Sequence, residues 1–204
     1  MEIDIVGEDQ VTQEIIERLV KDYRRDITIK NRLPSRGSQI KNNAPKYNNL
    51  GSPIFLLTDL DHYHCPPSLI KDFLDNAPLK AEMLLRVAWE EAETWLMADR
   101  KGFSHWLGTS VDLIPEPEVI DRKTGAVEII FPLKPSLYMM LNIASKSHNN
   151  NLKLSLTPIS GAKKGPAYNS AILPFIKNVW NIEEAAKNSN SLARTIARLQ
   201  AFQQ

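Results

Sequence analysis

The stretch Pro53-Ile54-Phe55-Leu56-Leu57-Thr58-Asp59-Leu60-Asp61 decides how this chain is expected to fold. Residues 53–58 form a short, nearly continuous apolar run between turn residues, which is the pattern of a strand buried on both faces. Such strands occur mainly in parallel sheets that helices cover on both sides. We therefore expect a central strand at 53–58, with two aspartates just beyond its carboxyl end.

The neighbouring segments predict the rest of the same sheet. Further strands are expected at 3–6, 27–29 and 83–87, one helix after a cap at Asp9 or Thr12, and other helices at 36–41, 67–74, 89–98, 136–146, 168–179 and 190–201. Prolines break up the stretch 111–135, which predicts an irregular segment or a small insertion.

The repeated order of strand, helix and strand predicts the architecture. It indicates a parallel, doubly wound α/β sheet flanked by helices. We expect residues 1–108 to form this α/β core. Residues 109–204 are expected to add an irregular segment and a helical C-terminal extension, packed on the core in one compact domain.

Composition limits the class of protein and the cellular compartment that are expected. The 204 residues are 43% hydrophobic and carry a formal net charge of +1, so a packed core is expected and any basic surface has to be local. The single cysteine, Cys65, excludes an internal disulfide framework and suits a reducing compartment. With no leader-like start and no apolar run near the roughly 18 residues of a membrane helix, we expect a soluble, cytoplasmic protein without a membrane partner.

Three carboxylates follow two of the predicted strands. Glu8 comes just after the first strand, and Asp59 and Asp61 come just after the apolar strand. The carboxyl ends of parallel strands share one edge, so we expect the three groups in one crevice. In an extended continuation of the strand, Asp59 and Asp61 would also point the same way. Repulsion of about 4 kcal/mol for each pair at about 4 Å favours a bound cation, and all-oxygen ligands suit Mg²⁺ or Mn²⁺.

Several segments resemble a known family. Residues 5–9 (Ile-Val-Gly-Glu-Asp) and 56–61 (Leu-Leu-Thr-Asp-Leu-Asp) resemble the glutamate and Asp-x-Asp motifs of the TOPRIM domain of topoisomerases, primases and OLD-family nucleases. Residues 93–99, 161–169 and 189–194 are similar to a family of small stand-alone TOPRIM-like proteins, so that the resemblance covers most of the chain. One departure is the order Gly7-Glu8, where the typical motif reads Glu-Gly.

The resemblance implies a fold, an activity and partners. It implies a TOPRIM-like, Rossmannoid fold and a Mg²⁺-dependent nuclease that acts on DNA in preference to RNA. Glu8 would be the base or a metal ligand, while Asp59 and Asp61 would hold the ion. Family members are often encoded beside an ATPase, which implies an ATPase partner and a role in antiphage defence.

Glu93 is a further catalytic candidate on the predicted helix 89–98. It can face the carboxylate crevice as another ligand or as a supporting group. The alternative is a solvated helix face, because acidic side chains near a helix start also complement the helix dipole.

Local basic groups are candidates for contact with a nucleic-acid backbone. Arg36 lies in the basic, asparagine-rich stretch before the central strand, and Lys163 and Lys164 lie between glycines. Arg194 shares a predicted helix face with Arg198. The alternative for each is an ordinary solvated side chain.

Two other functions compete with the nuclease. In the first, the chain is a non-catalytic interaction subunit of an ATPase complex, which the near-neutral charge and the Gly7-Glu8 order favour. In the second, weaker one it is a receiver-like phosphoryl-transfer domain, but the predicted strand 83–87 is followed by Trp89 and acids instead of the lysine that such domains need. The spacing of His62, His64 and Cys65 fits no standard zinc pattern.

Overall fold

The structure is a computed structural model and describes residues 1–33 and 39–203, so Arg36 lies outside the described residues. It is a mixed α/β protein with a four-stranded parallel sheet flanked by helices and a C-terminal helical region. The strands are β1 (Glu2–Gly7), β2 (Thr28–Arg32), β3 (Ile54–Asp59), β4 (Met83–Ala88), β5 (Pro117–Asp121) and β6 (Ala126–Ile129). The α-helices are α1 (Gln10–Tyr23), α2 (Gln39–Asn48), α3 (Pro66–Phe73), α4 (Ala92–Ala98), α5 (Arg100–Leu107), α6 (Pro135–Tyr138), α7 (Asn150–Leu156), α8 (Tyr168–Asn178), α9 (Ile182–Asn188) and α10 (Asn190–Gln200).

The large sheet has the strand order β2-β1-β3-β4, and its three strand pairs are all parallel. The prediction of a central apolar strand is confirmed, because β3 lies between β1 and β4 and Ile54 to Leu57 are fully buried. The register pairs Gly7 with Leu57 and Asp59 with Ala88. The carboxyl ends of β1 and β3 are therefore neighbours.

The described chain divides into two compact units. Unit 1 comprises residues 1–89 and 194–204, and unit 2 comprises residues 90–193. The sequence suggested a boundary between residues 108 and 109, and this boundary stays a prediction.

Unit 1 buries both faces of the parallel sheet. On one face, Leu56 and Leu85 lie in an apolar cluster with Ile40 of α2 and Leu69 of α3. On the other face, the first turn of α1 approaches β1 so closely that a Cβ on Gly7 would lie 2.6 Å from the hydroxyl oxygen of Thr12. Helices on both faces are what a doubly wound sheet requires.

Unit 2 contains the antiparallel hairpin β5–β6 within 111–135, for which the sequence predicted an irregular segment or a small insertion and no strands. Its turn is closed by Asp121, which accepts hydrogen bonds from the Lys123 N–H and the Thr124 hydroxyl, and by Gly125 at φ 68°. Trp95 and Trp180 are buried in this unit, and the Trp180 indole donates to the Trp95 carbonyl at 3.2 Å.

Several predicted helix bounds were wrong for local reasons. The helix expected from Trp89 begins only at Ala92, because Glu90 has a φ of 57° and Glu91 is extended. The helix expected at 136–146 is α6 followed by a π-helical turn at Met139–Ile143 and a 3₁₀ turn at Ala144–Lys146. The short helices α5, α7 and α9 were not predicted. Among the described residues, no helix is both long and apolar enough to cross a membrane.

Candidate functional site

Glu8 lies in the two-residue connection between β1 and α1. The next residue, Asp9, is the N-cap of α1: its carboxylate accepts from the Thr12 N–H at 3.0 Å, and the Thr12 hydroxyl oxygen accepts from the Asp9 N–H at 2.9 Å. This capping box fixes the entry of the chain into the helix. Gly7 provides the space that the same turn needs. The direction of the chain at Glu8 is thus set on both sides.

The Glu8 carboxylate reaches the end of β3. Its Oε1 accepts a hydrogen bond from the Thr58 hydroxyl at 2.6 Å and another from the Asp59 N–H at 2.9 Å. Its second oxygen, Oε2, accepts no hydrogen bond from the described part of the chain. It is also not among the fully buried atoms without a partner, so Oε2 is open to a ligand. The structure thus brings Glu8 to the Thr58–Asp59 backbone, which connects the two strand ends.

Asp59 and Asp61 are placed differently from one another. Asp59 is the last residue of β3 and is half-buried, while Asp61 is exposed. Leu60 continues the alternation into the core, but Asp61 has a φ of 47°. The expected extended geometry over Asp59 and Asp61 is therefore wrong, because the chain turns at Asp61. The charge of Asp61 still acts on Glu8, as the pKa of Glu8 indicates.

Burial raises the pKa of Glu8 above its ordinary value, and this is the largest effect. The negative charges of Asp61 and Asp9 raise it further, whereas the hydrogen bonds from Thr58 and Asp59 lower it. A positive ion beside Glu8 would offset both the cost of burying a charged carboxylate and the repulsion from Asp61 and Asp9.

The donor set fits a magnesium ion in its chemistry but does not form a complete cage. Among residues 1–33 and 39–203, no group of three His, Cys, Asp or Glu side chains is arranged to hold a metal ion. Mg²⁺ does not require such a group, because it commonly binds one or two carboxylates and completes its shell with water and substrate phosphates. Glu8 Oε2 and the Asp59 carboxylate are the groups that would hold it.

Glu93 lies in α4 of unit 2 and is 6% exposed, so the alternative of a solvated helix face is wrong. Its Oε1 accepts a hydrogen bond from the Tyr168 hydroxyl at 2.7 Å. The Lys164 ammonium lies 4.4 Å from the centre of the Tyr168 ring. Two sequence candidates, Glu93 and Lys164, are thus connected through Tyr168. A catalytic role of Glu93 stays a prediction.

The other basic candidates are exposed. Lys163 lies in the connection between α7 and α8, and Arg194 lies on α10. Sequence reasoning missed two residues of unit 1, Thr58 and Arg86. Thr58 had no signal beyond its place before Asp59, whereas Arg86 is the one charged residue within the apolar strand 83–87 and could have been noticed there.

Comparison with known proteins gives no relative from which a role could be transferred. No family model, curated protein or solved structure matches this chain.

Proposed function

We propose that this chain is a TOPRIM-like nuclease that hydrolyses phosphodiesters with Mg²⁺ or Mn²⁺ at the edge formed by Glu8 and Asp59. The observation that carries the proposal is the pair of hydrogen bonds that Glu8 Oε1 accepts from Thr58 and Asp59. These bonds hold a carboxylate from one strand end against the next strand end, as a site that shares an ion between two parallel strands requires.

The residues have distinct roles in this proposal. Thr58 and the Asp59 N–H orient Glu8, so that its second oxygen is free to act as a ligand or as the base for water. The Asp59 carboxylate supplies a second anionic group, and the exposed Asp61 adds negative charge to the same edge. A bound Mg²⁺ would neutralise charge that develops on the phosphoryl group and lower the pKa of a bound water.

The biological setting follows from the family resemblance alone. We propose a cytoplasmic protein that acts on DNA in preference to RNA, together with an ATPase partner in antiphage defence. The partner would control access of nucleic acid to the site.

The second candidate is a non-catalytic TOPRIM-like subunit of an ATPase complex. Two observations favour it: the described residues contain no three-carboxylate metal group, and Gly7 precedes Glu8 where the typical motif has the opposite order. In this case the hydrogen bonds of Glu8 serve to connect β1 with β3.

Purified protein, with the proposed ATPase partner added in parallel, should cleave plasmid DNA or RNA when Mg²⁺ or Mn²⁺ is present, and EDTA should stop the reaction. We expect Glu8→Gln and Asp59→Asn to slow cleavage by about 100-fold or more, since each removes an acid–base or ligand group. The matched control is Asp75→Asn, which removes a charge from an exposed residue of unit 1 at φ 50°, a backbone conformation that Asn tolerates.

Equal cleavage by the wild type and Asp59→Asn would contradict the nuclease. Absence of cleavage together with ATPase binding that survives Asp61→Asn would support the interaction subunit.

A further inference from the structure

Three arginines come together on unit 1: Arg194 and Arg198, which the sequence placed on one helix face, and Arg86, which no sequence motif includes. Arg86 is a half-buried residue of the edge strand β4, and its Nε donates a hydrogen bond to the Thr195 hydroxyl on α10 at 3.2 Å. Arg194 precedes Thr195, and Arg198 lies one helical turn further on; both are exposed. The hydrogen bond therefore places the Arg86 guanidinium beside the helix face that carries the other two.

The cluster has no internal counter-charge. Burial, followed by the charges of Arg194 and Arg198, lowers the pKa of Arg86 to about 10. Among the described residues, no carboxylate forms an ion pair with any of the three. Like charges held together without a partner repel each other, and this unfavourable energy is recovered when an anion binds.

The arginine cluster lies on the same face of the sheet as Asp59. Side chains alternate along β3, so Leu57 and Asp59 share a face, and the register places Arg86 opposite Leu57. From the strand spacing and rise, the Cα atoms of Arg86 and Asp59 are about 8 Å apart. Arg86 and Asp59 therefore belong to the same face of unit 1, with Arg86 two residues before the position that pairs with Asp59.

We propose that Arg86, Arg194 and Arg198 form a phosphate-binding site that holds the backbone of a nucleic-acid strand. Guanidinium groups bind phosphate oxygens through paired hydrogen bonds. Within residues 1–33 and 39–203, the side chain of Arg86 donates from Nε to Thr195, and its terminal nitrogens are left for a ligand. Arg194 and Arg198 are separated by about 6 Å along the helix, which suits successive phosphates better than a single small anion. The choice of nucleic acid as ligand rests on the proposed function; the oxyanion site itself does not.

Binding to a labelled single-stranded DNA oligonucleotide, measured in EDTA over a range of salt concentrations, tests the site without metal or cleavage. The main variant is Arg194→Gln/Arg198→Gln, because both residues are exposed. We expect about tenfold or more weaker binding at low salt, and a slope of log affinity against log salt that is smaller by about 1.4. The matched control, Lys21→Gln/Arg25→Gln, removes the same charge from two exposed residues of unit 1 and should bind like the wild type.

Arg86→Lys separates a binding role from a structural one. Lysine keeps the charge but lacks the paired N–H donors of the guanidinium. We therefore expect weaker DNA binding with an unchanged unfolding midpoint in urea. If the arginine variants bind as tightly as the wild type, or weaken no more than the control, the site is overturned.

A parallel measurement with tripolyphosphate distinguishes a nucleic-acid strand from a free phosphate ligand. Arginine-dependent binding of tripolyphosphate without DNA binding would retain an oxyanion site but overturn its assignment to nucleic acid. Binding of neither ligand overturns the proposal. Arginine-dependent DNA binding with no cleavage under Mg²⁺ or Mn²⁺ supports this site and counts against the proposed nuclease.

Discussion

Thr58 donates its hydroxyl hydrogen to Glu8 Oε1 at 2.6 Å, and the Asp59 N–H donates to the same oxygen at 2.9 Å. Glu8 is therefore positioned by the neighbouring strand, while its own segment supplies only the direction of entry through Gly7 and Asp9. Groups that orient a ligand in this way commonly matter almost as much as the ligand itself. At the scale of single residues, Thr58 is the supporting group of the proposed site.

Thr58→Val tests this role, because it removes the hydroxyl and keeps the shape of the side chain. We expect the affinity for Mn²⁺, measured by titration calorimetry, to fall by about tenfold, since Glu8 loses one of the bonds that orient it. Thr28→Val, at an exposed position of β2, is the control and should leave the affinity unchanged. Equal affinities of Thr58→Val and the wild type would show that Glu8 needs no such support.

At the scale of elements, the C-terminal end of α10 is held by a residue that follows α1. Arg24 Nη1 donates to the Leu199 carbonyl at 2.9 Å and to the Phe202 carbonyl at 2.5 Å. Its Nε and Nη2 bind the two carboxylate oxygens of Asp26. The last carbonyls of a helix have no partners within the helix, so this arginine acts as a cap from outside.

Arg24→Met should lower the free energy of unfolding in urea by about 1–3 kcal/mol, because charged hydrogen bonds to two carbonyls are lost while the apolar stem is kept. The same variant should also change how the stability of the folded chain depends on pH. The hydrogen bond from Arg24 is the largest effect that lowers the pKa of Asp26 from 3.8 to about 2. This interaction therefore stabilises the folded chain fully above pH 3.8, and its contribution is lost as the pH falls through about 2.

An NMR titration of the Asp26 carboxyl measures that change directly. In the variant its pKa should return towards 3.8. A pKa that stays near 2 would mean that Arg24 is not the cause.

At the scale of the whole molecule, the C-terminal residues are part of the same compact unit as the N-terminal residues. Residues 194–204 group with residues 1–89 in unit 1, although they are distant in sequence. Ile196, Leu199 and Phe202 are each at most 8% exposed. The C-terminal segment therefore contributes three buried apolar side chains to unit 1.

A chain that ends at Ala193 should have a destabilised unit 1. Burial of three large apolar side chains contributes about 5 kcal/mol or more, which is comparable with the whole stability of a typical domain. We expect the backbone amides of β1 to β4 to lose their protection from hydrogen exchange. A chain that ends at Phe202 keeps the three side chains and serves as the control; protection that is equal in both chains would contradict this composition of unit 1.

Sequence patterns predicted the parallel sheet well and the second half of the chain less well. The run Ile54 to Leu57 could be recognised because burial on both faces leaves no polar positions. The hairpin β5–β6 could not, because Val119 and Ile120 in its first strand are exposed and the strand has no alternating pattern. The start of α4 was misplaced because a positive φ at Glu90, a residue that rarely adopts one, has no signal in the sequence.

The sequence by itself determined the order of the strands along the chain, the buried character of β3, and the presence of Glu8 and Asp59 just beyond two strand ends. Those properties depend on local periodicity and composition. Only the tertiary structure decided which strands are neighbours, that Thr58 orients Glu8, and that Arg86 meets the helix carrying Arg194. These contacts join residues separated by 50 and 109 positions, and no local pattern records which distant side chain will fill a given space.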